Sequence, residues 1–247
     1  MALRFQRILF IVFLWLIGWW GAYAQASLDT SFVANARENL DQGYTQMASS
    51  ESILYNGTEY APEKKAYLKG HSYYKTAHEL EGKIYYHNTW FPNVPLQYDL
   101  VLDQIIVEHP TSEFKIKLVA EKVKFFIVAG HTFIRLTPDS LKTTTLKAGF
   151  YDLLYDNKLQ VLAHRSKRLV QQTTDIGLEG KYVETDSYFI YKKNIYYPVD
   201  KKKSVVKILA DRKKEVQAFI RSNKLTFRQN RETDIMKLVQ YYVQLSG

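Results

Sequence analysis

The chain has 247 residues, with 34 Lys and Arg against 25 Asp and Glu, a formal net charge of +9 at pH 7. It has no cysteine, which excludes disulfides, thiolate metal sites, a cysteine nucleophile and a lipid-modified cysteine. Because 46% of its residues are hydrophobic and 19 are tyrosines, we expect an ordinary packed core to supply the stability.

The first 24 residues have the pattern of a secretory signal peptide. Arg4 and Arg7 precede an apolar run at 8–20, and Ala22–Ala24 is a small-x-small cleavage sequence. A membrane-spanning helix needs about 20 apolar residues, so this run is short for a span, and an uncleaved anchor is the alternative. We therefore expect export, cleavage after Ala24 and a soluble product that is not lipid-anchored.

Residues 25–52 are polar and weakly patterned, which predicts an N-terminal arm or a short helix. Asn56-Gly57 follows, a dipeptide that favours a tight turn between two short strands. With Thr58 it also matches a glycosylation acceptor, but a turn is the better interpretation.

Residues 53–200 are predicted to form an antiparallel sheet. Short segments rich in Ile, Val, Tyr and Phe alternate with Pro, Gly, Asp or Ser, and the alternation in Lys115–Leu118 indicates one face on a core and one in water. Asp156-Asn157 and Lys193-Asn194 are predicted turns, and 175–180 is a predicted loop. The predicted strands are 83–90, 96–102, 104–108, 114–119, 122–128, 131–136, 149–155, 158–169, 182–192 and 195–199.

Residues 201–247 are predicted to be a basic helical region packed on the sheet. Ser204 is the predicted N-cap of a first helix, and Asp211 is predicted to interrupt it and cap a second helix that ends at Asn223. A last helix at about 231–245 is predicted to bury Ile235, Leu238, Val239 and Tyr242. The fold class is therefore α+β, a large curved antiparallel β-sheet or partial barrel followed by C-terminal helices.

No catalytic, cofactor or metal motif is specific in this sequence. Asp99 and Asp103 would lie on one face of a single strand roughly 13 Å apart, more than the about 5–9.5 Å of a glycosidase pair. The six histidines show no metal-ligand spacing, although His71 or His87 could meet His131 in space. We therefore predict no catalytic residue, no cofactor and no metal ligand.

The C-terminal region carries the excess positive charge. Residues 198–247 have 12 Lys and Arg against 5 Asp and Glu, a net of +7, whereas 25–197 have 20 of each. A basic stretch also occurs at 164–168, and a solvated helix face is the alternative to a binding surface. An exported protein rarely meets nucleic acid, so the expected partners are an envelope protein, an anionic membrane surface or a glycan. The candidate contacts with an anionic surface are Lys201, Lys202, Lys203, Arg212, Lys213 and Lys214.

Several segments resemble a family of uncharacterised exported envelope proteins from Bacteroidota. They are LYNG at 54–57, VPLQYDLVLDQIIV at 94–107, GFYDLLYDNKLQVL at 149–162, YFIYKKNIYYPVDKKKSVVKIL at 188–209 and LVQYY at 238–242. The resemblance covers most of the chain after residue 24 and carries no active-site residue. It implies envelope location, in the periplasm or associated with the outer membrane, and genomic association with regulators and receptors of TonB-dependent uptake.

We therefore expect a non-enzymatic exported envelope protein that binds a partner protein or surface ligand. One alternative is a periplasmic carrier of a lipid or other apolar ligand, with a concave face lined by Phe125, Tyr151 or Tyr188. The other is a hydrolase of envelope glycans, which requires two convergent carboxylates.

Overall fold

The computed structural model describes residues 53–62, 65–112, 114–137 and 146–245. The signal peptide predicted at 1–24 and the arm predicted at 25–52 lie outside these ranges and stay predictions. Within the described ranges, no helix combines the length and the apolar character needed to cross a membrane.

The described residues form one large open sheet of twelve strands. Its order is β1-β6-β5-β4-β3-β7-β8-β9-β10-β11-β12, with β2 beside β11 in the one parallel pairing of this sheet. The strands are β1 Thr58–Tyr60, β2 Leu68–Lys69, β3 Leu80–Tyr86, β4 Thr89–Asp99, β5 Gln104–Glu108, β6 Lys115–Lys117, β7 Val123–Val128, β8 His131–Leu136, β9 Gly149–Asp156, β10 Gln160–Thr174, β11 Gly177–Lys192 and β12 Ile195–Pro198.

Three helices follow the sheet in the chain, α1 Lys202–Ile208, α2 Lys213–Ser222 and α3 Arg231–Leu245, with a short 3₁₀ turn at Ala210–Arg212 between the first two. The predicted α+β class, an antiparallel sheet followed by C-terminal helices, is confirmed. The sheet does not close, because β1 and β12 lie at its two ends.

Two hydrophobic cores lie on the same face of this sheet. The first belongs to β3–β9 and is aromatic at its centre: the rings of Phe126 and Phe133 stack with centroids 4.8 Å apart, and Tyr98 and Phe150 meet Phe126 edge-on. Such pairs stabilise a core beyond the area that they bury. Residues that lie directly opposite each other on neighbouring strands point to the same face of a sheet. Phe133 of the first core lies opposite Asp152 on β9, and Asp152 lies opposite Ala163 on β10, which belongs to the second core. The second core is therefore on this face as well.

The second core is the contact between the helices and β9–β12. It is formed by apolar residues at helical spacing on α2 and α3 that face alternate residues of β10 and β11. The predicted stripe of α3 is buried as expected, at Ile235, Leu238, Val239 and Tyr242. The predicted bounds and the predicted buried face of this helix are therefore both confirmed.

Two of the errors in the predicted strand bounds lie at turns, one that was missed and one that was predicted as a longer loop. The segment predicted as one strand at 83–90 is broken by His87 and Asn88, whose φ angles of 49° and 61° form a two-residue hairpin turn between β3 and β4. The loop predicted at 175–180 is a turn of only Asp175 and Ile176, since Thr174 already pairs with Gly177. Neither His87 nor Ile176 belongs to the residue types that signal a turn.

The hairpin predicted at Asn56-Gly57 is also wrong, because the strand after it, β1, pairs with β6 instead of an immediately preceding strand. Gly57 lies directly on the backbone of β6, where a Cβ atom would stand 2.3 Å from the carbonyl oxygen of Lys117. A glycine is therefore required here for close approach of two backbones.

The helix boundaries were predicted better than the caps. The first helix begins at Lys202 with Lys201 as its N-cap, and the backbone N–H of Ser204 donates to the carbonyl of Lys201, so Ser204 is not the cap. The interruption at Asp211 is confirmed, but no side chain caps α2. Asn223 is the C-cap of α2, as predicted.

Candidate functional site

The six predicted basic contacts are all exposed and form two triplets, each at the start of a helix. Lys201 is the N-cap of α1, and Lys202 and Lys203 are its first residues. Arg212 is the N-cap of α2, and Lys213 and Lys214 open that helix. The structure therefore presents the two triplets at the beginnings of consecutive helices.

The charge of these triplets is largely uncompensated. Among the described residues, only Arg212 of the six has an ion-pair partner, Glu215 at 3.5 Å. Positive charge at a helix N-terminus is unfavourable by about 0.3–1 kcal/mol per charge, and α1 has no acidic residue in its first turn. These lysines therefore do not stabilise the helices that they begin.

The junction between the two triplets is held by Asp211. Its carboxylate accepts hydrogen bonds from the ammonium group of Lys192, 2.7 Å away, and from the hydroxyl of Tyr242 on α3. Lys192 also donates to the carbonyl of Ile208 at 3.1 Å. Burial opposes ionisation of Asp211, but the hydrogen bonds from Lys192 and Tyr242 hold its pKa at about 2. The contact ties the α1–α2 junction to the sheet and to the last helix.

We expect Asp211→Asn to destabilise the protein at pH 7 by up to about 1 kcal/mol, because the side chain of Asp211 is 55% exposed and solvent screens the pair. The folded-state pKa lies below the ordinary value of 3.8, so this stabilisation is complete above about pH 4 and is lost as pH falls to about 2. Urea unfolding of both proteins across that range measures the difference. A difference that stayed constant down to pH 2 would contradict this assignment.

Asp99 and Asp103, which were predicted to lie on one strand too far apart for a catalytic pair, do not share a strand. Asp99 is the last residue of β4, and Asp103 lies in the turn before β5 with a φ of 53°. Asp103 accepts from the hydroxyl of Tyr98 at 2.6 Å and from the N–H of Phe150 at 3.2 Å. Asp99 has a different set of donors, so each carboxylate serves its own local structure.

A buried ionic cluster, which no local sequence pattern indicated, lies between the two cores. The guanidinium of Arg165 on β10 donates to Asp152 on β9 at 2.7 Å and pairs with Asp186 on β11 and with Glu232 on α3, both at 2.6 Å. Asp152 is fully buried and also lies 2.9 Å from Nδ1 of His131 on β8. Burial opposes the charge of Arg165, but these acceptors raise its pKa further above the ordinary value. We call these five residues the Arg165 cluster.

The Arg165 cluster joins four adjacent strands to the last helix. A His–Asp contact of this kind orients the base of many hydrolases. Here the carboxylate also binds a guanidinium, and among the described residues no serine or threonine hydroxyl bonds to His131. The geometry therefore fits a structural connection between the cores. No group of three potential metal ligands occurs in the described ranges.

The basic stretch at 164–168 is not one exposed patch. Arg165 belongs to the Arg165 cluster, and the side chain of Lys167 is only 7% exposed, whereas Arg168 is exposed. Alternation along β10 turns successive side chains to opposite faces, which a run of basic letters does not reveal. His71 and His87, one of which could have met His131 in space, have other contacts: His71 stacks on Tyr73 and His87 meets Tyr86 edge-on.

The three residues suggested for a concave ligand face do not share one. Phe125 and Tyr151 lie on the same face, in register through Ile134, whereas Tyr188 lies on the opposite face under the helices. Phe125 stacks on Tyr85 with centroids 5.4 Å apart. A ligand cavity lined by all three is therefore not formed.

Comparison with protein-family models, with curated proteins and with solved structures finds no match for this chain. The resemblance to exported Bacteroidota envelope proteins therefore stays a prediction from the sequence. The function of this chain has to be inferred from its residues and their geometry.

Proposed function

We propose that this chain is a non-enzymatic exported protein of the cell envelope, periplasmic or associated with the outer membrane, that binds an anionic partner through Lys201–Lys203 and Arg212–Lys214. The observation that carries the proposal is the exposed, largely unpaired charge of these two triplets. A solvated surface usually mixes both signs, whereas this stretch concentrates one.

The energetics of the helices support a role in binding. Charges that disfavour a helix N-terminus gain from an anion bound beside them, because the anion interacts with the lysines and with the helix dipole together. Each Lys or Arg close to an anionic surface contributes about 1 kcal/mol at physiological ionic strength. Six such residues are sufficient for a salt-sensitive association with acidic protein surfaces, lipid headgroups or glycans.

The proposal is tested with Lys201→Glu/Lys202→Glu/Lys203→Glu. We expect the triple variant to lose at least about tenfold in apparent affinity for anionic phosphatidylglycerol vesicles, and to elute from heparin at lower salt. Wild-type binding should weaken as salt is raised, because exposed charges are screened. Vesicle co-sedimentation and heparin retention measure the two effects.

A matched control is Lys83→Glu/Lys122→Glu/Lys181→Glu, which changes the net charge equally at exposed lysines of the sheet and its loops. This control should retain most of the wild-type binding if the helix triplets are the contact. Equal losses in the two triple variants would show that only net charge matters. A wild-type protein that binds neither probe at low salt would also overturn the proposal.

A further inference from the structure

The β10–β11 hairpin extends beyond the rest of the sheet. β9 pairs with β10 only as far as Ala163, although β10 continues to Thr174. Over this extension β10 pairs with β11 on one side, and no strand of the described residues lies on its other side. The outer edge of β11 is partly covered, because β2 pairs with Gly180 and Lys181. The outer edge of β10 is therefore the open side of the hairpin.

The backbone along this open edge has a defined phase. In an antiparallel ladder, alternate residues of a strand direct their N–H and C=O groups to the same side. The N–H of Lys167 points outward, since it donates to the carbonyl of Leu100 in the β4–β5 turn at 3.1 Å. On β11 the N–H of Gly180 also points away from the partner strand, and Gly180 lies opposite Gln171. Within the described ranges, the outward-facing residues that have no backbone partner on this side are Leu169, Gln171 and Thr173.

This edge lacks the features that usually keep sheet edges from pairing. Short length, proline and charge are common protections. The two end strands of the sheet have them, because β1 has 3 residues, and β12 has 4 and ends at Pro198. The β10 edge at 169–174 reads LVQQTT, which contains neither charge nor proline, and residues 171–173 are exposed. It is therefore suited to accept another strand.

Exposed apolar side chains lie at both ends of this edge. Ile176 in the β10–β11 turn is 89% exposed, and Leu178 just after it is 44% exposed. At the other end, Val101 and Leu102 of the β4–β5 turn are 40% and 52% exposed, and that turn is held beside β10 by the bond from Lys167. Covering apolar side chains is favourable. A second hairpin running antiparallel along the edge would bring its own turn against the β4–β5 turn.

The backbone of the edge is self-complementary about Gln171. In an antiparallel pairing of two copies centred there, Gln171 lies opposite its own counterpart, and Leu169 lies opposite Thr173 of the second copy. Each outward-facing residue then meets an outward-facing residue. This register forms about six backbone hydrogen bonds, because each such pair exchanges two.

The side chains of this register are compatible as well. Val170 lies opposite Gln172 of the second copy, and Arg168 lies opposite Thr174. No like charges are therefore opposed across the contact. The β10–β11 turn of each copy reaches the level of Lys167 in the other, where the β4–β5 turn contacts the edge. The exposed apolar residues at the two ends of the edge then cover one another.

We propose that two copies of this chain associate by antiparallel pairing of their β10 edges at 168–174, which joins the two hairpins into one four-stranded ribbon with two-fold symmetry. Such an isologous contact is the commonest arrangement of a homodimer. A second copy fits this edge better than an unrelated strand, because it also covers the apolar residues of both turns. The contact shares no residue with the basic triplets, so it stands or falls independently of their role.

The test compares two double variants of the purified protein by sedimentation equilibrium over a series of concentrations. Val170→Lys/Gln172→Lys places lysine opposite lysine in both cross-strand pairs, and we expect at least about tenfold weaker dimerisation. Val170→Lys/Gln172→Glu places lysine opposite glutamate in the same pairs, and is expected to dimerise within about threefold of the wild type. The two variants differ at one residue, so their comparison is specific for the proposed register.

A pair of proline variants tests the backbone contact. Gln171→Pro removes the outward N–H at the centre of the contact and no bond to β11, and is expected to weaken dimerisation at least about tenfold. Leu178→Pro is the matched control, because Leu178 faces outward on the other edge of the same hairpin, in phase with Gly180. It should dimerise like the wild type.

Two outcomes would overturn the proposal. One is a wild-type protein that stays monomeric at its highest soluble concentration, and the other is equal dimerisation of the two double variants. Circular dichroism checks that each variant is folded. If a double variant is not, the proline pair decides, and equal dimerisation of Gln171→Pro and Leu178→Pro would then exclude the β10 edge as the contact.

Discussion

Replacing Arg165 with methionine is expected to lower the free energy of unfolding by about 3–5 kcal/mol, because it leaves a buried charge without its partner. Asp152 is fully buried, and the guanidinium of Arg165 is its closest cationic contact, at 2.7 Å. The variant also removes the ion pair with Glu232, which ties α3 to the sheet. Urea unfolding followed by fluorescence of the tyrosines and of Trp90 measures the loss.

Arg168→Met is the control for this experiment, because Arg168 lies on the same strand and is exposed. Its effect is expected to stay within about 0.5 kcal/mol. In the double variant Arg165→Met/Asp152→Leu, most of the lost stability should return, since removing both charges avoids an unpaired one. If Arg165→Met were as stable as Arg168→Met, the cluster would not be the connection between the cores that its geometry indicates.

The second large effect is expected for Phe126→Ala, at about 3–5 kcal/mol. Phe126 is 0% exposed, stacks on Phe133 and receives Tyr98 and Phe150 edge-on, so its removal leaves a cavity and three rings without their neighbour. Because β3 and β8 both pair with β7, the surrounding backbone cannot collapse into the space. Thermal and urea unfolding measure the change.

Phe114→Ala is the matched control, a deletion of the same side chain where it is 60% exposed. It is expected to cost less than about 1 kcal/mol. Phe126→Leu, which fills most of the space, should lose clearly less than Phe126→Ala. Similar losses for the alanine variants at positions 114 and 126 would show that the aromatic centre is not the packed core of the first half.

Local sequence patterns predicted a strand, helix or turn correctly where the residues of that element alone determine its structure. Residues 131–136 and 231–245 were predicted with the bounds that β8 and α3 have, because β-branched alternation and a 3.6-residue stripe are read from neighbouring residues alone. Lys193-Asn194 was recognised as a turn, and both residues have positive φ. The turn at His87-Asn88 was missed, and the turn at Asp175-Ile176 was predicted as a longer loop, since the pairing of the flanking strands decides where each turn begins and ends.

The candidate sites divide in the same way. The six basic residues could be proposed from the sequence, because consecutive lysines at the start of an amphipathic helix cannot all be buried. The Arg165 cluster could not. It brings together residues 131, 152, 165, 186 and 232. No local spacing connects positions that are joined only by strand order.

The α+β class, the alternation of the strands and the concentration of positive charge after residue 197 are all properties of the amino-acid order alone. Which charges meet solvent depends instead on the folded chain. Lys202 and Arg165 belong to similar basic runs, yet one is exposed on a helix that covers the sheet and the other is buried between two cores. The reason is that a charge can be buried only where it has partners on other strands or helices. The order of the strands in the sheet brings those partners close, and the residues next to the charge in the sequence do not determine that order.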